Sequence, residues 1–172
     1  LTNVNSVLDC NESFHCELNA LNLISSFDFD VYLLGMKGTW LAEMYKQDSV
    51  RLLEPNVRSY LKRTSKVNAG ILSTVKNSPE QFVSFNNGIS AVATGLTLAK
   101  NSNSIQLARI QKIENFQIVN GGQTTATLYE CLKDKLTDNL NDVIVPVKLT
   151  VVKNIGNADS FIRDISIFSN TQ

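Results

Sequence analysis

The segment Phe116-Gln117-Ile118-Val119-Asn120-Gly121-Gly122-Gln123-Thr124-Thr125-Ala126 runs apolar, breaks on two glycines and restarts with helix-compatible residues. Adjacent glycines let a backbone turn sharply and approach a neighbour closely, and a helix that starts there aims its unsatisfied N-terminal amides at the turn. The pattern predicts a strand feeding a helix at one edge of an α/β sheet, where ligand clefts form. Asn120, Gly121, Gly122, Gln123 and Thr124 are therefore candidate ligand-binding residues. The same residues also read as a plain tight turn with Thr124 capping the helix. The segment is not a P-loop, which needs Lys-Ser/Thr after its last glycine, nor a dinucleotide fingerprint, which needs a third glycine after Gly122.

Two amide-rich words flank it, Phe85-Asn86-Asn87-Gly88-Ile89 upstream and Ser169-Asn170-Thr171-Gln172 downstream. A strand end, a helix start and a helix end can meet at one sheet edge, so Gly88, Asn120, Gly122, Gln123 and Asn170 are expected around one concave surface, with Asn86, Asn87 and Gln172 converging on it as further carboxamides. Carboxamides both donate and accept, which suits the edge of a base or a sugar hydroxyl. They do not titrate. No Asp, Glu or His stands in residues 85–89 or 120–126, so acid–base catalysis would need groups from elsewhere. Asn87-Gly88 also fits an ordinary turn.

The remaining pattern predicts a mixed α/β unit, a central mixed sheet with flanking helices and strands near Val31, Ile89, Ile105, Ile118 and Val147. Phe29-Asp30-Val31-Tyr32-Leu33-Leu34 has the aromatic and β-branched content of a strand. Gly38-Thr39 is expected to cap a helix through Lys46, and Val67, Ile71, Leu72 and Val75 recur at helical spacing before a short turn opened by Pro79. From Gly88 the period becomes two, through Ile89, Ala91, Ala93, Leu96 and Leu98, a polar turn at 100–103, then Ile105 and Leu107. Residues 113–119 are expected as one further strand. Leu128, Leu132 and Leu136 mark the helix after the glycines, and Pro146 places the strand at 143–152 on an edge or at a bulge. Asn157 is expected to cap a last helix that buries Ala158, Phe161, Ile162, Ile165 and Phe168. Residues 1–26 give no firm pattern, and Trp40, Tyr45 and the eight phenylalanines read as core.

Together with Arg51-Leu52-Leu53-Glu54-Pro55-Asn56-Val57-Arg58-Ser59-Tyr60-Leu61, these words resemble the AIPR family, named for abortive-infection phage resistance, from about Val31 to Gln172. The resemblance implies a bacterial or archaeal anti-phage protein, often encoded beside restriction-modification genes, and implies little about molecular activity. Asn56-Val57-Arg58 is a fixed word in it. That makes Arg58 the candidate phosphate contact, with a salt bridge to Glu54 as the alternative. Lys62, Arg63 and Lys66 extend it as a basic patch or as a solvated helix face. The order of strand, glycine turn, helix, Val-Pro-Val strand and helix ending in Asn-x-Gln is also similar to the ParB/sulfiredoxin-like nucleotide-binding fold. Gly121 matches that group's turn glycine, and Asn170 and Gln172 its later word. Gly122, Gln123 and Thr124 replace its charged triplet and Ser169 its Glu, which argues against an arginine-held triphosphate and leaves a smaller or less charged nucleotide.

Sixteen basic residues balance sixteen acidic ones, so the overall field gives no push toward nucleic acid and any such binding rests on a local patch. With 172 residues, 43% of them hydrophobic, the chain has the size and composition of one domain, residues 1–172. Its start at Leu1 and its end on the Asn170 word predict a piece of a larger protein. No apolar run reaches the ~20 residues of a membrane span and no signal peptide is visible, so a cytoplasmic protein without membrane contact is expected. Cys10, Cys16 and Cys131 read as reduced thiols, and adjacent His15-Cys16 is poor chelating spacing, so no metal is expected. The sequence does not identify a cofactor. Three function classes follow: a module recognising a nucleotide or nucleic acid in phage defence, part of a nuclease or nucleotide hydrolase with its catalytic residues outside this segment, or a scaffold for other defence subunits.

Overall fold

The computed structural model describes residues 5–63, 68–100, 106–154, 156 and 158–171, the side chains of 62 and 63 excepted. The chain begins with β1 (Val7–Asp9), α1 (Cys10–Phe14), β2 (Leu18–Ser25) and β3 (Phe29–Lys37). Helices α2 (Gly38–Leu52), α3 (Pro55–Arg63), α4 (Ala69–Asn77) and α5 (Phe82–Phe85) follow. Next come β4 (Ile89–Ala93), β5 (Gly95–Leu98), β6 (Leu107–Glu114) and β7 (Gln117–Asn120). The chain then forms α6 (Gly122–Lys133), α7 (Thr137–Asp142), β8 (Ile144–Val152) and α8 (Ala158–Asn170). The sheet has the order β1-β6-β2-β3-β8-β4-β7, with β5 also on β6. Only the β4–β8 pair is parallel among those between named strands. The fold is mixed α+β, a curled mixed sheet with flanking helices.

The curl has a local cause. β4 and β5 are separated by Thr94, and β6 and β7 by Asn115-Phe116, so one bent ribbon pairs with β8 at its β4 end and with β2 at its β6 end. Residues 113–119 are therefore two strands and not one. Asn115 sits at φ 53, a left-handed conformation that Asn tolerates, and its side chain accepts from Ser6 N (3.0 Å) and donates to Thr94 Oγ1 (2.7 Å).

β8 corrects a second expectation. It lies between β3 and β4, with Val145, Val147, Leu149 and residues 150–152 buried, so Pro146 is inside the sheet and not on an edge. The missing N–H is tolerated because β4 begins its pairing at Val147, one residue later. At the N-terminus the sequence pattern missed a capped turn: Asp9 Oδ1 accepts from Asn11 N (3.0 Å) and Glu12 N (3.2 Å) and opens α1. β2 then turns Leu18 and Ala20 inward. Lys37, not Gly38-Thr39, precedes α2, which continues past Lys46 to Leu52; Thr39 Oγ1 instead donates to Asn141 Oδ1 (3.0 Å).

Helices α2, α3, α4 and α7 pack against α6, and α8 lies on β7, its Phe161 ring 5.1 Å from that of Phe29. The stripe expected on α8 is partly wrong, because Phe168 is 64% exposed while Ser166 is buried. Trp40 stacks on Phe14 at 4.6 Å, as a core aromatic would. Val67, Ile105, the turn at 101–103, Asn157, Lys66 and Gln172 lie outside the described residues, as do the side chains of Lys62 and Arg63.

The tightest junction is where β4 starts against β8. Gly88 has φ +77, and a Cβ there would fall inside contact distance of the Pro146 carbonyl oxygen. Gly88→Ala is expected to cost about 3 kcal/mol, the sum of a left-handed non-glycine residue and overpacking against backbone. Urea unfolding measures it, and a loss below ~1 kcal/mol, the lower end of that overpacking range, would show that the junction has slack.

Candidate functional site

The site grows from the β7–α6 turn. Asn120 pairs with Ser90 at the end of β7, and Gly121 follows at φ 89 as the residue before α6. A Cβ on Gly121 would lie 2.5 Å from Ile89 Cγ2, and one on Gly122 would overlap Val57 Cγ1. The glycines are thus required by packing: Gly121 lets β4 and β7 converge, and Gly122 seats α3 on the start of α6. Gly121 has no side chain with which to cap α6, whose first-turn N–H groups point out of the helix at the turn. The first helical bond is Thr125 N to Gly121 O (3.1 Å).

These amides open on a cavity of about 720 Å³, a size typical of small-molecule sites. Asn86, Asn87, Gly88, Asn120, Gly121, Gly122, Gln123, Thr124 and Asn170 all line it, so nine residues from three distant sequence words share one concavity with the foot of α3. Thr124 is 7% exposed and lines the cavity, and its hydroxyl makes no hydrogen bond to another described residue. It does not cap α6. Its hydroxyl is not among the fully buried polar atoms that lack a partner, so it is accessible from the cavity to a ligand or to water.

Several of the carboxamides already serve the fold. Asn86 Oδ1 accepts from Gly88 N (2.8 Å), shaping the turn into β4. Asn170 Nδ2 donates to Val119 O (2.8 Å) and Ser166 O (2.6 Å), and Asn120 Nδ2 donates to Ser169 O. The last two residues staple the end of α8 to the end of β7. Each keeps its Oδ1 for another donor. Asn87 is exposed at the rim.

Arg58 does not join the cavity. Its Nη1 donates to Val50 O (2.8 Å) on the other side of α3, beside Tyr45, Ser49 and Leu53. The Glu54 alternative fails too, because that carboxylate is buried as the cap of α3, accepting from Asn56 N (2.9 Å), Asn56 Nδ2 (3.1 Å) and Val57 N (3.4 Å). Ser166 Oγ adds a fourth bond at 3.3 Å. Glu54 N also donates to Ile118 O (3.0 Å), which ties the word at 51–61 to the free edge of β7.

Sequence reasoning missed the aromatic rim. Phe85 is 68% exposed and Tyr60 63% exposed, and both line the cavity with Ile167. Phe85 was expected in the core with the other phenylalanines; the usable signal was its place directly before Asn86-Asn87-Gly88. No Asp, Glu, His, Lys or Arg contributes to the lining among the described residues. Among those residues no group of three His, Cys, Asp or Glu is close enough to hold a metal ion. The described lining offers hydrogen-bond donors and acceptors, an apolar rim and one helix start.

Comparison with known families gives one match: the model described as AIPR protein covers residues 53–172. That span contains the whole cavity lining. No curated protein and no solved structure matches the chain.

The thiols stand apart from this site. Cys10 and Cys131 are fully buried, and burial pushes each up to about 11 from an ordinary 9.0, with nearby acidic groups adding to the effect. Such thiols are inert at neutral pH. A folded-state value above the unfolded one means that the stabilisation is complete below pH 9 and is lost as pH rises toward 11. At neutral pH a thiol reagent is expected to label half-buried Cys16 first, and the melting temperature is expected to fall between pH 9 and 11. Fast labelling of Cys10 or Cys131 in the folded protein would contradict their burial.

Proposed function

The chain belongs to the AIPR family, and from that premise we propose that the cavity at the start of α6 is a recognition site for a nucleotide-sized ligand within a prokaryotic phage-defence protein. Membership associates the chain with phage defence and leaves the molecular activity open. The observation that carries the reading is the convergence of three sequence words on one cavity at the start of α6, where the Thr124 hydroxyl has no partner among the described residues and is accessible, with exposed Phe85 and Tyr60 on the rim. Donors on one wall and aromatic faces on another suit a ring stacked at the rim with its polar groups turned inward. Such base–aromatic stacking contributes about 1–3 kcal/mol per base.

The lining favours recognition over catalysis. General acid–base work needs a titratable group within reach of the reacting atoms, and among the described lining residues only the Tyr60 phenol titrates. No described observation at the cavity favours a nuclease or a scaffold.

Thr124→Val keeps the shape and removes the hydroxyl. Calorimetry against the four common nucleosides and their 5′-phosphates is expected to show binding by the native chain, weakened in the variant by about 1 kcal/mol, roughly fivefold. Stability should change by no more than about 0.5 kcal/mol, because no protein hydrogen bond is lost. Unchanged affinity in a variant that folds normally would remove Thr124 from the site, and no binding by the native chain to any of these compounds would overturn the reading.

A further inference from the structure

The cavity does not end at Phe85. A second concavity of about 320 Å³ adjoins it, and Phe85 and Asn86 line both, so these two residues form the boundary between them. The boundary is held from either side. Asn86 N donates to Phe82 O (2.9 Å), closing α5, while Asn86 Oδ1 accepts from Gly88 N (2.8 Å) and fixes the turn into β4. Phe85 is thereby presented at the crest, 68% exposed.

The second concavity repeats the chemistry of the first. Its apolar floor is Phe82 and Ile71, both buried, and its polar wall comes from α4 through Asn68, Gly70 and Thr74. Asn68 Oδ1 caps α4 by accepting from Gly70 N (3.0 Å) and Ile71 N (3.2 Å), which sets that carboxamide at the wall. Thr74 Oγ1 donates to Gly70 O (3.0 Å) and keeps its oxygen able to accept. Each concavity thus joins an apolar face to a carboxamide and a hydroxyl, with one exposed aromatic residue between the two. A ligand with one flat unit fills one side only. A ligand that repeats its flat unit across a short polar spacer engages both, and successive nucleotides have that form, each base bringing a face that stacks on an aromatic ring.

Resting on the proposed recognition of a nucleotide-sized ligand, we infer that the site takes two consecutive nucleotides, one base in each concavity, with Phe85 standing between the bases. The first base lies by Phe85 and Tyr60 over the start of α6. The second lies over Phe82 and Ile71 with its edge toward Asn68 and Thr74, and the sugar-phosphate link passes the crest at Phe85-Asn86. The shared chemistry is a dinucleotide step, free or within a single strand.

The test is calorimetry of the full chain with three probes for each of the four common bases: the nucleoside, the 3′→5′ dinucleoside monophosphate, and the nucleoside 3′-phosphate esterified to an abasic ribose. The abasic probe carries the link and second sugar of the dinucleotide without its second base. For at least one base the dinucleotide is expected to bind about fivefold to 150-fold more tightly than the abasic probe, the gain from one further stacked base. Phe85→Leu removes the shared ring and is expected to bring that ratio toward one. Gly70→Leu narrows the second concavity from a helical position where a Cβ meets, among the described residues, only Asn68 Oδ1 (3.3 Å), and where leucine is a better helix former than glycine. It is expected to lower the same ratio. A six-nucleotide strand separates the two sources: binding at least as tight as the dinucleotide places the step within a strand, weaker binding assigns a free dinucleotide, and both support the two-base site. A dinucleotide that binds no more tightly than the abasic probe, while the nucleoside binds, overturns this inference and keeps the reading on which it rests. A ratio that neither variant changes overturns it as well. Absence of binding by every probe overturns both.

Discussion

Everything at the site depends on how closely β4 can approach β8 and β7. At Gly88 the backbone of β4 lies against the Pro146 carbonyl, and at Gly121 the end of β7 lies against Ile89, with no room for a side chain at either place. Those contacts fix where β7 ends, and therefore where α6 begins. Gly122 does the same for α3, whose Val57 fills the space that a Cβ would take. The three glycines lie under the cavity and define its floor. Their role is to bring three backbones together, so that the amides of α6 emerge between two sequence words that are far apart in the chain.

The polar groups divide between holding this shape and facing the cavity. Asn86 spends its oxygen on the Gly88 amide, while Asn120 and Asn170 spend their amide donors stapling α8 to β7. Glu54 caps α3 and grips Ser166 from below. What remains directed inward is Thr124, the α6 amides and the outer atoms of these carboxamides. Among the described residues the lining carries no charged side chain and lies above the buried Glu54 carboxyl group.

The sequence made the site's position legible because glycine and asparagine words mark backbone positions that few other residues can occupy. Mixed α/β architecture followed from periodicity, and Asn86, Asn87, Asn120, Gln123 and Asn170 do share one cavity. Other features depended on tertiary neighbours that no local pattern encodes. Pro146 was misplaced because its tolerance inside the sheet depends on where β4 starts pairing. Arg58 was misplaced because a helix word does not say which face meets the cavity; the Val50 carbonyl, exposed at the kinked end of α2, takes its guanidinium. Phe85 and Tyr60 look like core residues by composition, and only the fold reveals them at a rim. The break at Asn115 lies inside an apolar run, where periodicity is blind to a left-handed residue.

The central claim, that the uncapped start of α6 is a ligand contact, is tested most directly by amide NMR of the labelled chain during titration with a nucleoside. The backbone amides of Gly122, Gln123 and Thr124 are expected to shift together and saturate with Asn87, while those of β2 and β3 stay in place. Saturable binding whose shifts leave the first turn of α6 untouched would contradict the account.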